Sequence, residues 1–311
     1  KITQENLADV GFLVKTVTKK TLSEPYYHKK FNSPKSGGQY HGWVAYETTD
    51  STPVAVVGAL PFTAVWPNGD LVTCAMIMET FTLPSHSGRG LMTWLLEKTM
   101  VSLKLEGIPL IFTIPNQNSE HVFVKKFGFT NVGTMEYYEV PLTVFPLEAL
   151  CRKLRVPGIF KGWAELVLTP YLAPPNFVLE NSVQLEGFGG LLHDKQFYAY
   201  KSFSFNRLCR FSRIDCWLKF ENGLLVGDVL LPENCSDAQF DAWLLQLKKI
   251  ARLTGLRKIL FNTFPGSRLS KKMSARYTAQ PSWAVCCKTE DAACLPLLEK
   301  MRFGYGDFDT F

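Results

Sequence analysis

Apolar positions along the 311-residue chain follow a helical period in some segments and a strand-like pattern in others. Leu91, Met92, Leu95, Leu96, Met100 and Leu103 recur at helical spacing, which predicts an amphipathic helix over Gly90–Leu105 packed on a sheet. Ahead of it, strands are expected over Gly42–Glu47, Val54–Leu60 and Asp70–Leu83, with Asn68-Gly69 as the turn before the last. Behind it, strands are expected over Ile108–Ile114 and Phe129–Val140. The stretch from Pro141 to about Asn181 is rich in proline and apolar residues and reads as a packed connector with two short helices, Leu147–Leu154 and Phe160–Leu168. Further on, Phe197–Phe205 reads as helical, Arg213–Phe220 and Leu224–Leu231 as a hairpin about Asn222-Gly223, and Ser236–Leu253 as a long helix. Ser282–Lys288 is expected to close the sheet.

The order strand, helix, strand, helix is written twice, at an offset of about 148 residues. Trp94-Leu95-Leu96 recurs as Trp243-Leu244-Leu245, and the two helices end near Gly107 and Gly255, as a left-handed C-cap prefers. The strands that follow, Ile108–Ile114 and Lys258–Phe264, run into Pro115 and Pro265. Each is then followed by a short polar helix, carrying Lys125-Lys126 or Lys271-Lys272. An offset of this length is that of a whole domain. The expected class is α/β (α+β), with two tandem domains, each a mixed, mostly antiparallel sheet flanked by helices. The expected division is an N-terminal domain at 1–141, a helical connector at 142–190 and a second copy at 191–311.

Composition narrows the function classes only slightly. Hydrophobic residues at 46% and charged residues at 20% describe a globular chain with enough apolar surface to fold throughout. The formal charge of +6 is spread thinly, without the basic and aromatic interleaving of a nucleic-acid track, so a nucleic-acid partner is not indicated. The eight cysteines include no C-x-x-C pair and read as buried thiols, which implies a reducing cytoplasm. No stretch approaches the roughly 20 apolar residues that cross a bilayer, and no membrane partner is expected. Tyr305–Phe311 reads as a frayed surface tail.

The stretch Pro84-Ser85-His86-Ser87-Gly88-Arg89-Gly90-Leu91-Met92 carries the chemistry. It lies between a strand end and a helix start. Glycines there let the backbone turn its N–H groups inward, and the helix start adds partial positive charge, which makes an anion site without any lysine.

With the helix after it, the strand Leu110–Ile114, Pro115-Asn116-Gln117-Asn118-Ser119 and Lys126-Phe127-Gly128-Phe129, this loop resembles the acyl-CoA core of the GCN5-related N-acetyltransferase (GNAT) family. The pattern V-x-P-x-x-[RQ]-G-x-G-[IL]-[GA] is matched by Thr82, Pro84, Gly88, Gly90 and Leu91. Ser87 stands where the family has Arg or Gln, Met92 where it has Gly or Ala, and Val124 where it has a tyrosine acid. The resemblance covers Gly42–Val140 well and Arg213–Lys288 only as an echo of the fold, so the second copy is degenerate.

The resemblance implies acetyl-CoA or another acyl-CoA as co-substrate, with no metal, and direct attack of a small primary amine on the thioester. Phe81, Thr82, Ser87, Gly88, Arg89, Gly90, Leu91, Asn116 and Asn118 are the implied acyl-CoA contacts. Glu79, three residues before Thr82, is the candidate base, and Tyr138 is the candidate proton donor to the leaving thiolate. Two other functions compete. One is a protein resembling the Fem aminoacyltransferases, which draw on aminoacyl-tRNA. The other is a ligand-binding protein that keeps the fold without catalysis.

Overall fold

The computed structural model describes residues 1–311 apart from Ser212 and the side chain of Asn118. In chain order the elements of the first part are α1 (Leu7–Thr18), α2 (Glu24–Phe31), β1 (His41–Tyr46), β2 (Pro53–Val65), β3 (Leu71–Thr82), α3 (Leu91–Leu105), β4 (Leu110–Thr113), α4 (Gln117–Phe127) and β5 (Thr130–Pro141). Then come α5 (Leu147–Lys153), α6 (Pro157–Leu168), α7 (Ser182–Leu185), β6 (Gly190–Leu191), α8 (Lys195–Lys201), β7 (Asn206–Phe211), β8 (Ile214–Phe220) and β9 (Leu224–Leu230). The last are α9 (Asp237–Leu253), β10 (Lys258–Thr263), α10 (Arg268–Ser274), β11 (Gln280–Thr289) and α11 (Leu295–Leu298).

These elements form two compact units. Unit 1 holds Lys1–Val132 and Ala284–Met301, and unit 2 holds Gly133–Trp283 and Arg302–Phe311. In unit 1, β1, β2 and β3 form an antiparallel meander, β4 lies parallel to β3, and the Cys286–Thr289 stretch of β11 pairs antiparallel with β4. In unit 2, β7, β8 and β9 form the meander, β10 lies parallel to β9, and β5 pairs antiparallel with β10. Both sheets therefore follow one plan, and each takes its last strand from a distant part of the chain. The fold is the expected α/β class of mixed, mostly antiparallel sheets with flanking helices.

The chemistry of each segment accounts for its place. β2 is apolar almost throughout and is buried from Val54 to Phe62, as a central strand covered on both faces must be. Gly58 leaves room for Phe31 of α2, whose Cε1 would lie 3.1 Å from an added Cβ. In α9, Phe240, Trp243, Leu244, Leu247, Ile250 and Ala251 recur at helical spacing and form the stripe that packs into the core of unit 2.

Some elements differ from the sequence expectation. The helices α1 and α2 and the strand β7 have no counterpart in it. The segment Tyr305–Phe311 is not a frayed tail: Asp307 is fully buried, 2.7 Å from His193 Nε2, and accepts from Gly304 N at 2.7 Å. Phe311 stacks edge-on against Trp217 with ring centres 4.6 Å apart. Aromatic burial and the partnered carboxylate hold this segment, which acidic and aromatic composition alone does not reveal.

Gly42 tests the close packing of β1 on β2. Its φ is 121°, and an added Cβ would meet Val57 O at 2.2 Å. Gly42→Ala is expected to lower stability by about 3 kcal/mol in urea unfolding. Gly69→Ala also has positive φ (93°) but meets nothing within 4 Å, and is expected to cost about 1 kcal/mol. Equal losses at the two sites would remove the close approach as the cause.

Candidate active site

Three local features of unit 1 meet at the C-terminal end of β3. The first is a bulge. Val56 faces Phe81 and Gly58 faces Met78, so Val57 alone spans Glu79 and Thr80. Glu79 has φ 48°, in the left-handed region that costs an ordinary residue about 1–2 kcal/mol. Its carboxylate pairs with the Lys30 ammonium of α2, and the two residues are 9% and 1% exposed. A buried charge pair of this kind is sustained by geometry, since neither ion has bulk water around it. Tyr27, on the same helix, is buried beside them. Burial first, and the Glu79 charge second, push its phenol well above the usual range.

The second feature is a parting of strands. β3 and β4 pair from Cys74↔Leu110 to Ile77↔Thr113, and Thr113 Oγ1 donates to Ile77 O at 3.3 Å. β4 ends there, while β3 continues through Met78–Thr82 against β2 alone. Among the described residues, no pairing of β3 with β4 continues beyond Ile77. Leu83 N donates to Val54 O at 2.9 Å, so by strand alternation Phe81 turns its backbone to β2 and Thr82 turns its backbone to the open side; both residues are half-buried. Backbone groups so placed are free to meet a ligand.

The third feature is the loop that follows. Pro84–His86 makes one 3-10 turn, Gly88 and Gly90 adopt φ 78° and 77°, and α3 starts at Leu91 with Gly90 as its N-cap. An added Cβ at either glycine would meet nothing within 4 Å, so conformation rather than crowding demands glycine, and open space lies over both. No side chain caps α3. Its first-turn N–H groups and the positive end of its dipole are thus left for an anion. Ser87, Gly88, Arg89 and Gly90 are exposed and Leu91 half-buried. Arg89 Nη2 reaches Ser85 O at 3.4 Å, which keeps a guanidinium on the loop in place of the missing motif cation. His86 is tied down: Nε2 donates to Glu47 Oε2 at 2.8 Å, and that bond lowers the Glu47 carboxyl below its ordinary value. An exposed, uncapped, glycine-bearing loop with a cation and no carboxylate of its own suits a pyrophosphate.

The other expected contacts are placed differently. Asn116 Oδ1 accepts from Ser119 N at 3.0 Å and so caps the start of α4. The side chain of Asn118 lies outside the described residues. Tyr138 belongs to unit 2, where it is fully buried in the apolar core and its hydroxyl donates to Glu136 Oε2 at 2.8 Å. Burial raises this phenol above its ordinary value. The hydroxyl proton of Tyr138 is thus engaged by Glu136. Lys30 and Tyr27 escaped the sequence reading. Ser23 followed by Glu24-Pro25 signals the start of α2, but no local signal pairs Lys30 with a residue 49 positions on.

Residues 1–132 match the family model described as an acetyltransferase (GNAT) domain. This region is therefore a domain of the GNAT family, and that family supports acyl transfer in general terms. Solved structures of similar fold include a GCN5-related N-acetyltransferase from Anabaena variabilis, 14% identical, with TM-score 0.58 over 94% of this chain and 72% of that one. Another is a GCN5-related N-acetyltransferase from Kribbella flavida, 14% identical, with TM-score 0.55 over 94% and 70%. A third is the Saccharomyces cerevisiae N-myristoyltransferase with bound myristoyl-CoA, 11% identical, with TM-score 0.56 over 92% and 80%. At these identities the likeness is one of fold. Among curated proteins no sequence match is found.

The Lys30–Glu79 pair makes a specific energetic claim. Lys30→Met buries the Glu79 carboxylate without that ammonium and is expected to cost about 3–5 kcal/mol in chemical unfolding. The double change Lys30→Met with Glu79→Leu removes both charges and is expected to recover most of the loss. A double variant as unstable as Lys30→Met would show that packing, not charge, is at issue.

Proposed function

We propose that unit 1 is an acyl-CoA-dependent N-acyltransferase, with acetyl-CoA the first donor to test and a small primary amine as acceptor. One observation carries this reading: the uncapped glycine loop opens at the point where the bulged end of β3 parts from β4. The Ser87–Leu91 backbone and Arg89 hold the pyrophosphate, and Phe81 with the open backbone at Thr82 lines the acyl group. Asn116 and Asn118, at the start of α4, complete the donor contacts.

The amine nitrogen attacks the thioester carbonyl carbon, and the developing oxyanion is met by a backbone N–H near Thr82. The C–S bond then breaks, and the thiolate takes a proton from water. Glu79, held at the bulge by Lys30, accepts the proton that the amine loses, directly or through one water. Both substrates react while bound, so the step is effectively intramolecular and needs no covalent enzyme intermediate.

Unit 2 is read as a second copy of the same plan that has lost the donor site. Its helix α9 occupies the place of α3, but Ser236 and Gln239 close a reciprocal capping box at its start. Asp237 sits in the first turn, bonded to Lys272 at 2.8 Å, where it repels a second anion.

Gly90→Glu puts bulk and negative charge on the loop and is expected to weaken acyl-CoA binding at least about tenfold in calorimetry. Glu79→Gln is expected to lower turnover at least about tenfold with donor affinity nearly unchanged. Acyl transfer from acetyl-CoA to a mixed amine panel reads turnover. Unaltered affinity in Gly90→Glu would take the loop out of the site. Loss of activity in Glu79→Gln only in proportion to unfolded protein would confine Glu79 to a structural role.

A further inference from the structure

The α5–α6 corner of unit 2 carries a surface that its core does not use. α6 buries Phe160, Ala164 and Leu168 on one side. On another side Ile159, Trp163 and Leu166 recur at i, i+4 and i+7 and stand 65%, 40% and 65% exposed. A helix apolar on two sides has one face that needs a further apolar partner. The preceding turn continues that face with Leu154 and Val156, and every residue from Arg152 to Ile159 is exposed, so the corner projects into solvent. Its backbone is closed by Arg155 N to Arg152 O at 3.1 Å and Val156 N to Cys151 O at 2.9 Å. Cys151, buried, anchors it.

Positive charge predominates around this face, with Glu148 engaged by Arg152 Nε at 3.3 Å and Glu165 engaged by Arg207. Between Leu150 and Trp163 stand Arg152, Lys153, Arg155 and Lys161, all exposed, and no Asp or Glu. Two copies meeting through this face would bring like charges together. A projecting apolar corner ringed by cations, with a tryptophan on it, has instead the composition of an interfacial anchor. We infer that the α5–α6 corner is a docking surface for an anionic lipid bilayer. Leu154, Val156 and Ile159 enter the interfacial region, Trp163 sits at its rim with Nε1 donating to Leu253 O at 2.7 Å, and Lys153, Arg155 and Lys161 meet the headgroups. A surface of this kind needs no spanning segment. Indeed no helix among the described residues is long and apolar enough to cross a bilayer. Lying on a surface requires only one face of a short helix.

The test is co-sedimentation of the full chain with vesicles of phosphatidylcholine alone and of phosphatidylcholine with phosphatidylserine, at low and at physiological salt. Binding is expected to the anionic vesicles, weakening with salt, with each cation near the surface contributing about fivefold. The double variant Leu154→Glu with Ile159→Glu is expected to lose about tenfold or more in partition, while its melting temperature stays that of the parent because both positions are exposed. Three results would overturn the inference. They are no binding to anionic vesicles, equal partition of parent and variant, and a dimer in light scattering that the variant abolishes while vesicles bind neither protein. The last would assign the face to a second copy.

Discussion

A strand that pairs with one neighbour along its full length and with the other along only part of it has to change direction between the two regimes. In β3 that change is made at Glu79, the residue forced into left-handed backbone where Val57 faces two residues instead of one. The conformation is costly for a side chain with a Cβ, and the surrounding structure must over-determine it. Here the means is visible: α2 brings Lys30 to the Glu79 carboxylate inside the fold. Everything downstream inherits the bend, including the open backbone at Thr82 and the angle at which the glycine loop delivers α3. In the proposed mechanism the same carboxylate receives the proton of the amine, so structure and chemistry would draw on one side chain.

The two units show how a small change at a helix start alters what the same sheet plan can hold. α3 begins at a glycine with no capping side chain, and its first N–H groups are left open. α9 begins at a serine whose capping box uses up such groups, with an aspartate in the first turn and lysine and arginine partners for that aspartate. The first arrangement solicits an anion from outside the protein. The second satisfies itself internally and gains stability from doing so. A few residues at one turn thus separate an open helix start from a closed one, with the strands and helices around them alike in plan.

Much of the fold was legible because its signals are local. Helical spacing located α3 and α9, the Asn222-Gly223 turn located the β8–β9 hairpin, and the glycines of the loop carry positive φ as their chemistry requires. What escaped depends on distant partners. The pairing of β5 with β10, and of β11 with β4, joins segments far apart in the chain, and no periodicity encodes it. Lys30 reads as an ordinary surface lysine in Glu24–Phe31 until the fold places it against Glu79. Tyr138 is fully buried and its neighbour Tyr137 half-buried, and sequence parity does not tell which of two adjacent tyrosines faces the core. The loop was therefore readable, and the shell that supports it was not.

The central claim is that the amides from Ser87 into the first turn of α3 receive the donor's phosphates, and that the corresponding start of α9 does not. Peptide-resolved hydrogen exchange of the full chain, with and without CoA, measures this directly. The account predicts slowed exchange over Ser87–Leu95 on adding CoA and unchanged exchange over Ser236–Asp241. Protection at Ser236–Asp241, or none at Ser87–Leu95 while CoA is bound, would contradict it.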